Sequence, residues 1–309
     1  MAEEELREFD LIRWIRGQAA SDERVRVGIG DDAAVVANRS DATLITTDML
    51  VDGVHFDLRE APLGDVGWKA MACSVSDVAA MGGRGTVAVV SAALPKGFGP
   101  EQAEELVSGM LRCADEFGVC LVGGDLTGTG GPLAIAVTML GDTGDCPPIL
   151  RSGAQVGDAI LVTGALGGSA LGHHMCFWPR QAEAVTLNSR YRPHAMIDVS
   201  DGLAIDLHHI LEESAVGALV WAKRVPVAEA AVRAAAGSGH APLEHALGDG
   251  EDYELLFTAD AATAERLLAD QPFGVPVSRI GEIVPSGATL VMPDGAQRRL
   301  EAAGWEHFR

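Results

Sequence analysis

Short apolar strands alternate with amphipathic helices in both halves of this 309-residue chain, and that mixture predicts an α+β fold in two domains. Composition sets the boundary between them. Gly141 to Pro148, with Asp, Thr, Gly and a Pro-Pro pair, is the best linker, so residues 1–146 and 147–309 are expected to form the two domains. The third observation is the 37 glycines, which imply many tight turns and backbone-lined loops, because glycine tolerates positive φ and close approach.

In order along the chain, Leu6, Phe9, Ile12 and Ile15 recur at helical spacing and predict a helix over 3–17. Gly28-Ile29-Gly30-Asp31-Asp32 turns into a short strand at 33–37, and a second strand, 43–47, is expected to end at Asp48. Pro62 opens a helix over 62–80. Residues 86–94 read as a strand. Pro100 to Phe117 reads as a helix with Leu106, Met110 and Leu111 as a partial apolar face. A short strand at 120–122 is expected to run into Gly123-Gly124-Asp125, with another at 133–140. Beyond the linker come a strand at 159–163, a glycine-initiated helix over 164–175 and a strand at 196–199. Ser200-Asp201-Gly202 then opens a helix that continues to Ser214. The stretch Tyr253 to Thr258, a helix at 261–269 and strands near 277–284 and 288–292 complete the chain.

The charge excludes several functions. The net charge is −21 and the lysines are Lys69, Lys96 and Lys223, so no basic stripe is available for a nucleic-acid backbone or an anionic membrane. Met1-Ala2-Glu3-Glu4-Glu5 has no apolar core of a signal peptide, and no apolar run reaches the roughly 18 residues of a membrane span. The five cysteines are scattered and form no CxxC pair. They fit reduced thiols in a cytoplasmic protein and not a disulfide framework or a structural zinc site.

Four segments share one grammar, an Asp beside Gly, Ser or Thr near a strand end or helix start. They are Gly30-Asp31-Asp32, Thr46-Thr47-Asp48, Gly123-Gly124-Asp125 and Asp198-Val199-Ser200-Asp201. A fifth acid, Asp77, lies among Val75, Val78 and Met81 on an apolar helix, where an unpartnered carboxylate is costly. Each alone reads as a cap or turn; five in one chain do not. Converging carboxylates repel one another by on the order of 4 kcal/mol per pair at ~4 Å and an effective dielectric near 20. Hard divalent cations resolve that conflict, and magnesium bridges carboxylates to substrate phosphates. No calcium loop of the D-x-[DN]-x-[DN]-G type occurs. The implied chemistry is phosphoryl transfer, in which metals offset charge and the protein positions. Neither G-x-x-x-x-G-K-[ST] nor the H-R-D set of protein kinases is present, so glycine backbone, metal and Arg151 are left to hold a nucleotide.

Six blocks then become recognisable. They are Gly28 to Ala33, Thr47 to Phe56, Ser76 to Gly82, Gly123 to Asp125, Ile197 to Leu203 and Gly250 to Leu255. In order and spread across nearly the whole chain, they resemble the signature blocks of thiamine-monophosphate kinases. The resemblance implies magnesium-dependent transfer of the ATP γ-phosphoryl group directly to thiamine phosphate, giving thiamine diphosphate and ADP. No phosphoenzyme and no dedicated catalytic side chain are implied, because metals and positioning suffice. It also implies the fold of aminoimidazole ribonucleotide synthase and selenophosphate synthetase. That fold has an N-terminal mixed sheet with helices carrying most of the ATP and magnesium site, a C-terminal α+β domain, and a homodimer joined through N-terminal strands. Carried over by position, Asp32, Thr46, Thr47, Asp48, Asp77, Asp125, Asp198 and Asp201 look like metal-site residues. Gly124, Asp125, Arg151 and Ser200 look like ATP contacts, and His55, Glu251 and Trp305 look like contacts to thiamine phosphate.

The chain departs from the pattern between Gly167 and Pro179, where many members carry a longer helical segment. The adjacent pairs His173-His174 and His208-His209 read as structural or surface residues, because neighbours on a helix face different directions. The cationic thiazolium ring gives Trp305 a reason to stack, although Trp305 and Phe308 also read as a hydrophobic plug. Sister enzymes fit less well. The first cysteine is Cys73 and no lysine precedes Lys69, unlike selenophosphate synthetases. Asp52-Gly53-Val54-His55-Phe56 replaces the Asp-Gly-Val-Gly-Thr-Lys of aminoimidazole ribonucleotide synthases. The chain ends Phe308-Arg309, unlike the cysteine of the related hydrogenase-maturation protein. A non-catalytic cation-binding protein would account for the charge but not for the Gly-Gly-Asp and Ser-Asp-Gly loops.

Overall fold

The computed structural model describes residues 8–20, 23–27, 29, 34–37 and 43–305. It divides into two units, Met1–Val78 with Gly83–Asp145, and Ala79–Gly82 with Cys146–Arg309.

The first unit contains, in chain order, α1 (Glu8–Gln18), β1 (Val25–Val27), β2 (Val35–Val36), β3 (Leu44–Val51), α2 (Leu63–Ala80, ending in the second unit), β4 (Arg84–Pro95), α3 (Pro100–Phe117), β5 (Cys120–Thr129) and β6 (Ala134–Asp142). β1 and β2 form a small antiparallel ribbon. The main sheet runs β3-β6-β4-β5 and is mixed: β4 and β5 are parallel, the other pairs antiparallel. α3 begins at Pro100, preset for a first turn, and stops at Gly118 with φ 69°. α2 and α3 meet backbone to backbone. A Cβ on Gly67 would lie 2.0 Å from the Leu106 carbonyl oxygen, and one on Gly109 would lie 1.9 Å from that of Gly64.

The second unit contains β7 (Ala159–Thr163), α4 (Gln181–Thr186), β8 (Ala195–Asp198), α5 (Leu203–Ser214), β9 (Gly217–Trp221), α6 (Glu229–Ser238), α7 (Pro242–Gly248), β10 (Leu255–Ala259), α8 (Ala261–Asp270), β11 (Val277–Val284), β12 (Ala288–Val291) and β13 (Gln297–Arg299). Its sheet runs β13-β12-β9-β11-β7-β10-β8, and β12–β9 is the parallel pair. The central strands are buried on both faces, with the period of two deciding which core each side chain joins. Ile160, Val162, Ile197 and Leu256 pack with Leu207 and Ile210 of α5. Ala159, Leu161, Met196, Leu255 and Phe257 pack with Leu267 of α8 and with Leu187. The α+β class and mixed first sheet are as the sequence predicts.

Several local expectations are corrected. β3 continues through Asp48 to Val51, and Gly123-Gly124-Asp125 lies inside β5, so both acids sit within strands and not at their ends. The helix expected over 164–175 is two short 3-10 turns, Ser169–Leu171 and His173–Met175. Gly164, Gly167, Gly168 and Gly172 all have positive φ, which interrupts a right-handed helix at each point. The strand expected at 33–37 is β2, Val35–Val36; residues 30–33 with Asp32, the start of the first helix and Phe308 lie outside the described residues. Among the described residues, no helix is long and apolar enough to cross a membrane.

Candidate active site

In the first unit the site begins with the alternation of β3. Leu44, Thr46, Asp48 and Leu50 share one face; Ile45, Thr47 and Met49 point the other way. The first face meets α2, where Ser74 and Asp77 are three residues apart and therefore neighbours. The Ser74 hydroxyl donates to Asp48 Oδ2 at 2.9 Å, and the Thr46 hydroxyl donates to Asp77 Oδ2. Burial pushes the Asp48 carboxyl up to about 7, the Asp77 charge adds to the rise, and the Ser74 hydroxyl opposes it. The pair is thus a pocket of oxygen donors that resists carrying two negative charges.

His55 stands in the turn after β3. The Val51 N–H donates to His55 Nδ1 at 3.0 Å, which leaves the ring proton on Nε2. The turn is closed by the Gly53 N–H to the Phe56 carbonyl at 2.7 Å and by the Leu58 N–H to Asp52 Oδ1 at 2.9 Å. Beneath it lies Lys69, 0% exposed, whose Nζ donates to the His55 carbonyl at 2.8 Å.

Thr47 and Asp125 belong to the opposite face of the sheet. The Thr47 hydroxyl is 3.0 Å from that of Thr138, directly across from it. Asp125 stands opposite Ser91, which stands opposite Ala136, which stands opposite Met49. That row shares the face of Met49, not that of Asp48. Ile45 and Met49 are 70% and 60% exposed on it. Gly123, Gly124 and Asp125 also line a cavity of about 910 Å3, whose other walls include Leu11 and Ile15 of α1, Met110 of α3 and Val90 of β4.

In the second unit, Asp198 ends β8, buried, and residues 199–202 form the turn into α5. Nearly every backbone group of that turn is engaged. Val199 exchanges bonds with Glu254 and Tyr253, the Ser200 carbonyl accepts from Glu251 N–H at 2.6 Å, and the Asp201 carbonyl accepts from Trp305 N–H at 2.9 Å. The Asp201 and Gly202 N–H groups both donate to Asp206 Oδ2. Among the described residues the Ser200 N–H and hydroxyl find no partner. Glu251 has φ 54°, between Gly250 at 72° and a buried Tyr253 at 51° after Asp252, a run of left-handed backbone that only its neighbours can hold in place. The Tyr253 ring stacks on Phe177 at 3.6 Å. Asp198, Ser200, Asp201, Glu251 and Trp305 are therefore joined around one turn, with the Trp305 side chain half exposed.

Arg151 is not brought to this turn. Its carbonyl accepts from the Ser214 hydroxyl at the far end of α5, and its side chain is exposed.

Two residues of this site are missed by the sequence reading. Asp201, Asp206 and His209 present ligand atoms within 4.8 Å of one another. Burial, then the charges of Asp198 and Asp201, push the Asp206 carboxyl up to about 8 against the two N–H groups that it accepts. The available signal is the three-residue spacing of Asp206 and His209, which puts both on one helix face. His208 instead bonds the Ala204 carbonyl of its own helix at 2.7 Å.

Residues 30–143 match the family described as AIR synthase related protein, N-terminal domain. A thiamine-monophosphate kinase of Rhodopirellula baltica is 43% identical over 285 residues, covering 90% of this chain and 89% of that protein. The solved thiamine-monophosphate kinase from Stenotrophomonas maltophilia K279a is similar at a TM-score of 0.81 and 34% identity, over 94% of this chain and 97% of that one. AaThiL complexed with AMPPCP and TMP is similar at a TM-score of 0.69 and 27% identity, over 97% of each chain. Relatives this similar span nine-tenths or more of the chain, and the chain belongs to the thiamine-monophosphate kinase family.

Proposed function

We propose that the chain transfers the γ-phosphoryl group of ATP to thiamine phosphate, giving thiamine diphosphate and ADP, with magnesium as the cofactor. The observation that carries this reading is the meeting of Thr46 and Asp48 with Ser74 and Asp77, where the second carboxylate helps to raise the first to about 7. An all-oxygen donor set under such repulsion suits a hard divalent cation. Asp48, Asp77 and Thr46 would hold one part of the magnesium, and Asp198 and Asp201 another; Thr47 and Asp125, on the other face of the first sheet, and Asp32 are the remaining members of the proposed set. Bound there, magnesium would offset the charge of the transferring group.

The chain's own groups position the reactants. Gly124 and Asp125, which line the 910 Å3 cavity, suit a nucleotide whose base enters its apolar walls, and the free Ser200 N–H suits a phosphate oxygen. Arg151, exposed on its own unit, is the remaining ATP contact of the proposal. The Nε2 proton of His55 suits the phosphate of thiamine phosphate, while Glu251 and the exposed ring of Trp305 suit its cationic thiazolium ring. Transfer is direct, without a phosphoenzyme. A homodimer would cover the face bearing Ile45 and Met49, and the protein would work in the cytoplasm.

The test is chromatography of thiamine diphosphate after incubation with ATP, thiamine phosphate and magnesium. No product, or equal product with magnesium chelated, refutes the reading. A stoichiometric phosphorylated side chain formed from ATP alone refutes direct transfer.

A further inference from the structure

We propose that Asp206 is a positioning residue that sets the turn 198–202 for cation binding, acting through the Asp201 backbone and not as a ligand. The proposal rests on the reading of Asp198 and Asp201 as metal ligands.

Asp206 is 1% exposed in the first turn of α5. Its Oδ2 accepts two successive amides, Asp201 N–H at 3.1 Å and Gly202 N–H at 3.0 Å, while its own N–H donates to the Gly202 carbonyl at 3.0 Å. α5 has no side-chain cap at Gly202, so these two amides would otherwise be orphan donors at a buried helix start. Turning both inward fixes the Ser200–Asp201 and Asp201–Gly202 peptide planes, and with them the direction of the Asp201 side chain. Gly202 adopts φ 129°, a conformation that an L side chain resists, and a Cβ there would lie 3.2 Å from Leu247 and Gly248 backbone. The opposite edge of the same turn is tied by Glu251 N–H and Trp305 N–H to the Ser200 and Asp201 carbonyls. Asp206 therefore holds the inner edge of a turn whose outer edge is held by the segments carrying Glu251 and Trp305.

The rival is direct ligation, since Asp206, Asp201 and His209 come within 4.8 Å. The two roles make different demands. An acceptor of N–H bonds can be an Asn carbonyl oxygen; a ligand chosen for its charge cannot. Partners that orient a ligand typically contribute roughly 10–100-fold to metal affinity or activity.

The experiment is a manganese(II) titration followed by electron paramagnetic resonance, with thiamine diphosphate formation measured in parallel on wild type, Asp206→Leu, Asp206→Asn and Asp201→Asn. Asp206→Leu should weaken one class of bound manganese roughly tenfold or more, and Asp206→Asn should recover most of that loss. Equal losses in Leu and Asn variants overturn the proposal in favour of direct ligation. Wild-type binding in Asp206→Leu overturns it because the turn then needs no brace. Where Asp206→Leu does not fold, Asp206→Asn decides alone: near wild-type manganese affinity supports the proposal, and a tenfold loss ends it. Unchanged affinity in Asp201→Asn overturns the metal reading of the turn itself, and this proposal with it.

Discussion

Lys69 offers a test of the role proposed for His55 in holding thiamine phosphate. It is fully buried on α2, and its ammonium donates to the His55 carbonyl at 2.8 Å. Lys69→Met keeps the length and most of the volume of the side chain, so the core should stay filled. Two effects then oppose each other. A hydrogen bond from a charged donor, about 1.5–3 kcal/mol, is lost. The desolvation cost of a buried ammonium, several kcal/mol before its partners are counted, is lost as well. Net stability should therefore change little, by about 1 kcal/mol in either direction. The local effect is not cancelled. The turn keeps its own closure through Gly53 and Phe56 and the Val51 N–H bond to the imidazole, but the His55 carbonyl loses its bond from α2, and His55 is held less tightly. A loss of roughly 1.4 kcal/mol in the competent conformation corresponds to a tenfold weaker KM for thiamine phosphate. The KM for ATP should stay near the wild-type value. Steady-state kinetics with each substrate varied in turn, beside a urea melt, makes the comparison. Equal changes in both KM values, or a KM for thiamine phosphate within about twofold of wild type, would refute the reasoning.

Three further outcomes are expected. Asp48→Asn should remove activity by more than the roughly 100-fold that loss of a partner behind a ligand can cost, while leaving the melting temperature unchanged or raised, because the ionised carboxylate is disfavoured there. Near-normal turnover at moderate magnesium would remove Asp48 from the metal site. Trp305→Ala should weaken thiamine phosphate by roughly 5–30-fold, equivalent to ~1–2 kcal/mol of stacking on a cation, and leave magnesium-ATP binding alone in calorimetry; equal weakening of both ligands with a lower melting temperature would make the ring a structural plug. Asp252 is buried, its Oδ2 without a partner among the described residues, and its carboxyl is pushed from 3.8 up to about 8 by burial, with the Gly167 N–H opposing and the charges of Glu254, Asp249 and Glu251 adding. Folding then takes up a proton between those values, so stability present at low pH should be lost as pH rises from about 4 to about 8, by up to about 1.4 kcal/mol per pH unit. Asp252→Asn should flatten that slope in melts across the range, and parallel curves would exclude this source.

What is legible in the sequence is whatever local chemistry fixes. α3 is readable to the residue because Pro100 can start a helix and Gly118 can end one in left-handed backbone, with Leu106 and Met110 between them on a buried face. β7 is readable because a short apolar run bounded by polar residues leaves few alternatives. The helix expected over 164–175 is absent because apolar spacing there is outweighed by four glycines whose φ depends on neighbours: Gly167 and Gly168 pass within clash distance of α7 and α6 backbone. α6 escapes notice for the opposite reason, since its Ala-rich sequence buries Ala231 alone and shows little of an apolar stripe. The period of two in β3 already separates Thr46 from Thr47 in the expected strand 43–47, but Asp48 joins the face of Thr46 only when the strand is carried past it to Val51. Asp206 is beyond local reading: its importance lies in two amides that a sequence cannot aim.

The two acid sets are held by different physical means, and the difference bears on how each can respond to a cation. Asp48 stands in mid-strand, its backbone fixed on the sheet and its carboxylate met by a helix hydroxyl, so a cation can change its protonation but not its place. Asp201 stands in a turn with no ladder of its own. Its place is set by an inward carboxylate, by the Trp305 N–H, and by the neighbouring Ser200 carbonyl tied to Glu251. Residues proposed to contact thiamine phosphate are thus bonded directly to the backbone of a proposed metal ligand and its neighbour. Ordering Trp305 and Glu251 around the substrate must restrict the Asp201 turn as well, and an ordered turn loses less entropy when a cation binds. Coupling of that kind is reciprocal. Magnesium should therefore tighten thiamine phosphate through this turn to the same degree that thiamine phosphate tightens magnesium.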